Sequence, residues 1–378
     1  MADMTEPTPS QTRLKSALSG IASLAQLSQT FASAWMSRFL RRPIRQLPLV
    51  KLCITNRCNS RCLACDLWQN PGPCGDELTT AEIQDMLPAM RRLKVRMLSI
   101  GGGEPTLRDD LEDCIAWFSQ AGISVHMVTN GLLIDEARAR SLAQAGLAAV
   151  HLSCDHVDPA GYKGVRGVDG YDRAVRAMKL LRSLPRPIPV GVNVVLSRRN
   201  MDVIEAFVDR AVEWGVQKLQ FIPIHTHLQH REMARSAFEG LIPTARDLEA
   251  IKQALERSTR RLWDLGIESN SSCYCGHYDW AYVEGRTIPC TAGVLYAQIT
   301  SSGEVLPCYE LPTGLSVRQM SLDRIVASPR YRALLREAAR CRRACWDVGS
   351  AEPDIRFHLP YLLGHPFESY RQWRLYRR

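Results

Sequence analysis

The fold of this 378-residue chain is decided by the run Leu49-Val-Lys-Leu-Cys-Ile-Thr55 and by the loop after it, Cys58-Asn-Ser-Arg-Cys62-Leu-Ala-Cys65. The first run is apolar and rich in β-branched residues, which predicts a strand. The three cysteines, spaced by three and then two residues, can converge on one iron–sulfur cube. A cube normally takes four thiolates, so one iron would keep an open position, and open positions in metal sites accompany chemistry. The alternatives are a structural zinc knuckle or buried thiols.

A second predicted strand ends in glycines, an acid and a proline, in Met97-Leu-Ser-Ile-Gly-Gly-Gly-Glu-Pro105. Glycines at such a position let backbone groups approach a ligand closely. The Glu104 carboxylate can accept hydrogen bonds from an ammonium group. Together with the cysteine loop, each at the end of a strand, these residues resemble the radical S-adenosylmethionine (SAM) enzymes.

This resemblance implies two cofactors, a [4Fe–4S] cluster and SAM. The open iron of the cluster would chelate the amino and carboxylate groups of the methionine. The cluster would be held by Cys58, Cys62 and Cys65, and the amino group would be contacted by Gly102, Gly103 and Glu104.

One position departs from the pattern of the family. Many members carry an aromatic residue just before the third cysteine, where it packs near the adenine, and this chain has Ala64 there. We therefore expect adenine stacking to come from elsewhere, with Trp68 as a nearby candidate, or to be absent.

Six strand-like runs alternate with five helical runs along the chain. This alternation predicts an α/β fold with a parallel sheet and helices outside it, and the resemblance implies a partial (β/α)6 TIM-like barrel. Helix ends are marked by Thr79 and Thr80 before Glu82, and by glycines 122, 146 and 215. The predicted strands are Leu49–Thr55, Met97–Ile100, Ser124–Thr129, Ala148–Ser153, Pro189–Leu196 and Lys218–Pro223; the predicted helices are Thr79–Arg92, Arg108–Ala121, Asp135–Ala145, Tyr171–Leu184 and Met201–Trp214.

Ligands of such folds bind at the carboxyl ends of the strands, which nominates further contacts to the cofactor. Ser153 and Asp155 lie on one face of the fourth strand, and in similar enzymes a serine and an acid there bind the ribose hydroxyls. Asn193 on the fifth strand is similar to a residue that contacts the nucleoside, although it could simply bond neighbouring backbone. Arg166 could pair with the cofactor carboxylate or be a solvated loop residue.

A second set of cysteines lies in the C-terminal third. Cys290 and Cys308 flank Gly303, which reads as the turn of a hairpin, and this part resembles the auxiliary-cluster extension called SPASM or its shorter relative, Twitch. The further run of cysteines that a full SPASM domain would need is missing. We therefore expect one auxiliary [4Fe–4S] cluster, with a four-thiolate zinc site as the alternative. Its ligands would be Cys290, Cys308, Cys341 and Cys345.

Two more cysteines, Cys273 and Cys275, have three possible roles. They could replace ligands of the auxiliary site, serve a second one, or supply a catalytic thiol. The chain has 13 cysteines and no signal peptide, which indicates metal binding in a reducing cytosol rather than disulfides.

The N-terminal segment is basic and amphipathic. No aspartate or glutamate occurs from residue 7 to residue 65, and apolar side chains recur at helical spacing between Leu14 and Phe39. Such a helix suits the surface of an anionic membrane; it could also pack on the barrel or resemble a transit peptide. We predict a cytoplasmic protein, with this segment able to hold it on the inner face of the membrane. The chain has no apolar run of 18 residues, which predicts that it has no spanning helix.

Five regions follow from these patterns. They are the N-terminal segment 1–47, the barrel 48–240, a helical linker 241–287, the auxiliary-cluster domain 288–350 and a basic, aromatic tail 351–378.

The expected activity is reductive cleavage of SAM to a 5′-deoxyadenosyl radical, which abstracts hydrogen from an unactivated carbon, with the auxiliary cluster assisting electron transfer. The basic N-terminal segment favours a lipid-like or other biosynthetic substrate. The alternatives are a maturase of a ribosomally synthesised peptide, acting by cross-linking, epimerisation or oxidation, and a non-catalytic cluster sensor or assembly partner. A small molecule is a further substrate class. The electron donor would be a flavodoxin- or ferredoxin-type protein, and nucleic acid ranks last as a partner because no RNA-binding module is evident.

Overall fold

The computed structural model describes residues 44–69, 71, 75–224 and 240–366. The predicted amphipathic helix between Leu14 and Phe39 and the basic stretch Tyr370–Arg378 lie outside the described residues. No helix in the described part of the chain is both long and apolar enough to cross a membrane.

One eight-stranded sheet organises the molecule, with the strand order β6-β5-β4-β3-β2-β1-β7-β8. The six strands of the barrel pair in parallel, β7 joins β1 in parallel, and only β8 runs antiparallel to its neighbour. The two outer strands, β6 and β8, are not paired with each other, so the barrel is open. The strands are β1 Leu49–Thr55, β2 Met97–Gly102, β3 Ser124–Thr129, β4 Ala149–Ser153, β5 Val190–Leu196, β6 Lys218–Pro223, β7 Tyr296–Ile299 and β8 Val305–Leu306.

Helices follow the strands and cover the outer face of the sheet. Short 3-10 turns lie at Pro105–Leu107, Met201–Val203 and Tyr278–Ala281. The helices are α1 Thr80–Asp85, α2 Leu87–Arg92, α3 Leu111–Gln120, α4 Glu136–Gln144, α5 Pro159–Arg166, α6 Tyr171–Ser183, α7 Ala206–Trp214, α8 Ala245–Asp264, α9 Ser272–Gly276, α10 Leu322–Ala327, α11 Pro329–Ala338, α12 Val348–Arg356 and α13 Leu359–Gly364.

The partial barrel predicted from the sequence is confirmed, and the signals that predicted it act locally. The Thr79 side chain accepts the Glu82 backbone N–H, and the Glu82 carboxylate accepts the Thr79 N–H in return, which caps α1. One difference concerns the first predicted helix, Thr79–Arg92, which is two helices that meet at Met86 with a proline in the first turn of the second. Proline lacks the N–H that would continue the first helix.

Residues alternate along each barrel strand between two environments. In β5, Val190, Val192 and Val194 are buried, whereas Asn193 and Val195 are half-buried on the opposite face. The same period of two appears in β1 to β4. The face of the sheet that carries the buried residues packs on the helices. The opposite face, inside the barrel, can therefore carry polar groups.

The C-terminal third shares its sheet and its hydrophobic core with the barrel. The hairpin β7–β8 turns at Gly303, whose φ is +91°, and β7 extends the barrel sheet beside β1. The predicted linker packs its helix α8 into the common core through Ile251 and Leu255. The predicted boundary at residue 350 falls inside α12, because this helix begins at Val348.

Candidate active site

A cavity of about 160 Å³ lies at the carboxyl ends of the barrel strands. Its wall is built by the loop after β1 and by the last residues of β2, β3, β4 and β5. Because the strands are parallel, their carboxyl ends meet at one edge of the sheet. The sequence-predicted residues that line this cavity are Cys58, Cys62, Cys65, Gly102, Gly103, Glu104, Ser153, Asp155 and Arg166.

The cysteine loop is held by hydrogen bonds from two directions. Arg61 N donates to Arg166 O at 3.1 Å and Leu63 N donates to Val165 O at 3.0 Å, so the loop pairs with the end of α5. From the other side, Asn130 Nδ2 donates to Asn59 Oδ1 at 2.6 Å. These bonds fix the backbone that carries the three thiols.

Two glycines allow β2 to end against the start of the cysteine loop. A Cβ on Gly103 would lie 2.2 Å from Arg57 O, and one on Gly102 would lie 2.3 Å from Thr55 O. Gly102 also has a φ of +120°, which disfavours a side chain. The two glycines thus let the end of β2 approach the backbone at the start of the cysteine loop, in addition to the ligand that we expected there. This contact holds the glycine motif against the cysteine loop.

Glu104 is buried and anchored by neighbouring donors. Its Oε2 accepts the Asn130 N–H at 2.7 Å, and its Oε1 accepts the hydroxyl of Thr129 at 2.6 Å and the backbone N–H of Thr106 at 3.1 Å. Charged hydrogen bonds of this kind are strong. The carboxylate is therefore held in one orientation on the cavity wall, where an ammonium group can meet it.

Asp155 and Arg166 form a buried ion pair on the opposite wall. Arg166 Nη1 donates to Asp155 Oδ2 at 3.0 Å, and Asp155 Oδ1 accepts the Val195 N–H at 2.7 Å. Although burial opposes it, the neighbouring thiol of Cys62 and the Asp155 carboxylate raise the pKa of Arg166 well above its usual value. The guanidinium thus stays charged beside the cysteine loop.

The three thiols of the loop are partly removed from water. Burial raises the pKa of Cys65 to about 12 and also raises the pKa values of Cys58 and Cys62. The Arg166 guanidinium opposes this rise at Cys62. Thiols in this state are ionised by metal binding rather than by solvent. Three soft sulfur donors around one cavity fit a [4Fe–4S] cluster with an open position.

Two predicted contacts do not line this cavity. Asn193 pairs in register with Ser153, yet it is not part of the wall, and its Oδ1 is buried without a hydrogen-bond partner in the described part of the chain. The indole N–H of Trp68 donates to Cys62 O at 3.3 Å, so Trp68 braces the loop.

Two further residues of the wall position its other groups. Thr129 and Asn130 anchor Glu104, and Asn130 also holds the cysteine loop. Both lie at the end of β3, which places them near Glu104 because β3 ends beside β2.

A second, larger cavity of about 490 Å³ lies in the C-terminal third. It is lined by all four predicted auxiliary ligands, and burial raises the pKa values of three of them to about 12. In the described part of the chain, no three His, Cys, Asp or Glu side chains converge closely enough for a single metal ion. Thiols set around a cavity suit a multi-atom cluster. The four are Cys290, Cys308, Cys341 and Cys345.

A buried ion pair shapes the wall of this auxiliary cavity. Arg286 pairs with Asp354, which also accepts the Thr291 N–H at 2.7 Å. The guanidinium lies 5.2 Å from the ring of Trp346. The Asp354 carboxylate offsets the charge of this guanidinium at the neighbouring Cys290 thiol. This pair joins positions 68 residues apart, so no local pattern could have predicted it.

Cys273 and Cys275 line neither of these two cavities. Cys275 is buried in the main core, with its sulfur 3.5 Å from the Thr259 hydroxyl. Cys273 is half-buried, with its sulfur 3.8 Å from Nδ1 of His277. The structure therefore does not place them with the auxiliary ligands or with the cavity at the strand ends, and a catalytic thiol at either position stays a prediction.

An open parallel α/β barrel with these two cysteine sites defines an iron–sulfur enzyme of the SAM-cleaving type. The profile of the radical SAM superfamily matches residues 52–211, and that of the SPASM iron–sulfur cluster-binding domain matches residues 290–347. The chain belongs to the radical SAM superfamily and carries a C-terminal SPASM domain. Its cofactors are accordingly a [4Fe–4S] cluster with SAM and an auxiliary iron–sulfur cluster, which favours the cluster over the zinc alternative.

Curated relatives cover most of the chain. The PqqA peptide cyclase of Streptomyces rochei is 28% identical over 283 residues, which span 73% of this chain and 72% of the relative. The PqqA peptide cyclase of Xanthomonas campestris pv. campestris is 28% identical over 270 residues, 70% and 68% of the two chains.

Solved structures share the fold. Streptococcus suis SuiB bound to S-adenosylmethionine superposes with a TM-score of 0.61 at 18% identity, over 77% of this chain and 68% of that one. Native anSMEcpe with bound AdoMet gives a TM-score of 0.61 at 16% identity, over 84% and 98%.

Proposed function

We propose that this radical SAM enzyme modifies a peptide. The observation that carries the proposal is the match to PqqA peptide cyclases along about 70% of both chains. These relatives favour the peptide maturase over the lipid-like substrate that the basic N-terminal segment suggested. That segment lies outside the described residues, so the lipid alternative gains nothing from the structure.

When bound, the cluster and SAM supply a one-electron cleavage that releases a 5′-deoxyadenosyl radical able to abstract a hydrogen atom. The residues of the cavity at the strand ends bind and orient. We assign Cys58, Cys62 and Cys65 as the ligands of the cluster and Glu104 as the acceptor of the ammonium group. Its carboxylate is already fixed by Thr129, so it is preorganised for this contact.

The opposite wall would hold the rest of the cofactor. Ser153 lies on this wall and its hydroxyl can bond a ribose hydroxyl. Asp155 keeps one oxygen on Arg166 and the other on backbone, and each carboxylate oxygen has a further lone pair for a ribose hydroxyl. Arg166 is then oriented through Asp155, and its charge suits the cofactor carboxylate. Asn193 would contact the nucleoside only if SAM extended beyond the residues that line this cavity.

We assign the auxiliary cluster to Cys290, Cys308, Cys341 and Cys345. Cross-linking a peptide removes two hydrogens, one as an atom and the second as a proton and an electron. An auxiliary cluster held by these cysteines would be the acceptor for that electron. The SPASM domain therefore favours an oxidative outcome, such as a cross-link, over a reaction without net electron loss.

The test uses the full chain, reconstituted anaerobically and reduced with dithionite. Formation of 5′-deoxyadenosine is measured with and without a synthetic peptide that corresponds to a short open reading frame beside the gene, and the peptide is examined by mass spectrometry. We expect the peptide to raise 5′-deoxyadenosine formation and to lose about two mass units, because one cross-link removes two hydrogens.

Two controls make the result decisive. Glu104→Gln keeps the shape of the side chain but removes the charge that would bind the ammonium group, so SAM binding should weaken. Anionic liposomes replace the peptide in a parallel reaction. A mass change in lipid rather than peptide would overturn the peptide proposal, and absence of 5′-deoxyadenosine under all conditions would favour the non-catalytic sensor.

A further inference from the structure

One of the four auxiliary cysteines lies at the protein surface. Cys341 is exposed, whereas Cys290, Cys308 and Cys345 are half-buried. A cluster held by these four side chains would therefore come nearest to solvent at Cys341. Electron transfer between proteins needs a short path, so this is the edge that a redox partner could approach.

Four arginines surround the exposed cysteine. Two of them belong to fixed contacts: Arg342 Nη1 donates to Arg286 O at 2.7 Å, and Arg343 pairs with Glu310 at 3.1 Å. All four are exposed at the mouth of the auxiliary cavity. We call this surface the arginine face; it consists of Arg336, Arg340, Arg342 and Arg343.

The other two arginines carry charge that is not compensated locally. Within the ranges that the structure describes, Arg336 and Arg340 form no ion pair, although Glu337 lies between them in sequence. Arg336 lies in the last turn of α11 and Arg340 lies two residues beyond the end of that helix. Both line the auxiliary cavity. The face thus keeps positive charge toward solvent beside the cluster ligand.

We propose that the arginine face docks an acidic one-electron carrier protein of the flavodoxin or ferredoxin type. A positive surface steers an acidic partner and fixes its orientation. The position favours a carrier over a peptide substrate, because hydrogen abstraction is assigned to the other cavity, which shares no wall residue with this one. This inference rests on the proposed function, since it needs the enzyme to exchange electrons.

The step is a single electron transfer. An auxiliary cluster reduced by the electron from the peptide would pass that electron to the oxidised carrier, while no covalent bond forms or breaks. The arginine face contributes the positive charge that brings the carrier's acidic surface to Cys341.

The experiment measures binding of a bacterial flavodoxin to the reconstituted holoenzyme by calorimetry at low and high salt. The test variant is Arg336→Glu/Arg340→Glu, and Arg336→Gln/Arg340→Gln serves as a milder second variant. The matched control is Arg176→Glu/Lys179→Glu, which makes the same change in charge at exposed positions of α6. Iron content reports whether the clusters remain in place.

We expect the charge-reversal variant to bind flavodoxin about tenfold or more weakly at low salt, with a smaller loss for the glutamine variant and less than about twofold for the control. Equal weakening in the test and control variants, or none in either, would overturn the proposal. The proposal would also be overturned if the test variants bound the synthetic peptide more weakly but bound flavodoxin as well as the wild type does. Dithionite-driven formation of 5′-deoxyadenosine by the wild type checks the proposed function separately, because it needs no carrier.

Discussion

Arg166 donates to Asp155 across 3.0 Å, and this buried pair connects the end of β4 to the last residue of α5. The backbone carbonyl of the same arginine accepts the N–H of Arg61 in the cysteine loop. The pair therefore links the strand edge that would hold the ribose to the loop that would hold the cluster. A change at either residue should disturb both.

Replacing one partner of this pair should be costly. Arg166→Leu leaves a buried carboxylate without its counter-ion, which costs about 3–5 kcal/mol in the free energy of unfolding. The double variant Asp155→Leu/Arg166→Leu should recover part of that loss, since it removes the stranded charge. Urea denaturation of the wild type, Asp155→Leu, Arg166→Leu and the double variant measures the coupling, and strictly additive costs would contradict it.

The glycines at the end of β2 offer a matched pair of substitutions. Gly103→Ala would place a Cβ 2.2 Å from Arg57 O, whereas a Cβ on Gly101 meets nothing within 4 Å. We expect Gly103→Ala to cost about 1–3 kcal/mol or more and to lower iron content at the three-cysteine loop. Thermal unfolding and iron analysis of both variants check this. Similar behaviour of the two would show that the close approach has no consequence.

The side chain of Asn130 should affect the iron content of the first cluster as well as the stability of the fold. Asn130→Ala removes the bonds to Asn59 and Ser60, and the control Asn200→Ala removes bonds to Asp155 O and Val195 O. Each should cost about 1–3 kcal/mol, because buried acceptors lose their donors. Only Asn130→Ala should lose iron from the first cluster, as judged by iron and sulfide analysis. Equal iron loss in both would assign the effect to general destabilisation.

Iron content also tests the two ligand sets. Wild type should hold about eight irons per chain, and the triple variant Cys58→Ala/Cys62→Ala/Cys65→Ala about four. Cys290→Ala/Cys308→Ala should likewise fall to about four. The control Cys273→Ala/Cys275→Ala should keep about eight, since neither thiol lines the cavity at the strand ends or the auxiliary cavity. A wild type near four irons that falls to zero in the triple variant would mean that the auxiliary cysteines hold no iron.

Two half-buried histidines inside the barrel should make stability depend on pH. Burial, with Lys218 as a second cause, lowers the pKa of His126 from 6.5 to about 4. Burial, then Lys218 and His126, lower that of His151 to about 3. The charged group facing both is Lys218, which pairs with Glu268 at 3.4 Å. The unfolded chain binds more protons below pH 6.5, so the free energy of unfolding should decrease as pH falls from about 6.5 toward 4.

The variant His126→Gln cannot take up that proton. Its free energy of unfolding, measured by urea denaturation between pH 7 and pH 4, should fall less steeply than that of the wild type. Identical slopes for the two proteins would mean that His126 is protonated in the folded state.

The barrel could be predicted because its signals are local. Apolar β-branched runs, helix caps and glycines act within a few residues, and β1, β3 and β6 begin and end where the sequence predicts. Cysteine spacing acts locally too, so the loop from Cys58 to Cys65 identified the family before any geometry was known. The auxiliary ligands lie up to 55 residues apart along the chain, yet the hairpin at Gly303 gave a local signal for the first two.

Tertiary structure decided what depends on contacts between distant segments. The sequence placed Asp155 and Arg166 as separate cofactor contacts, but folding pairs them, because α5 returns its last residue to the end of β4. It also buries Cys275 away from both cavities and brings Arg286 to Asp354. A sequence pattern records which donors and acceptors exist, whereas burial and the path of the chain decide which of them meet. The sequence by itself thus determined the class of fold and the metal chemistry, and only the packing decided which side chains share a wall.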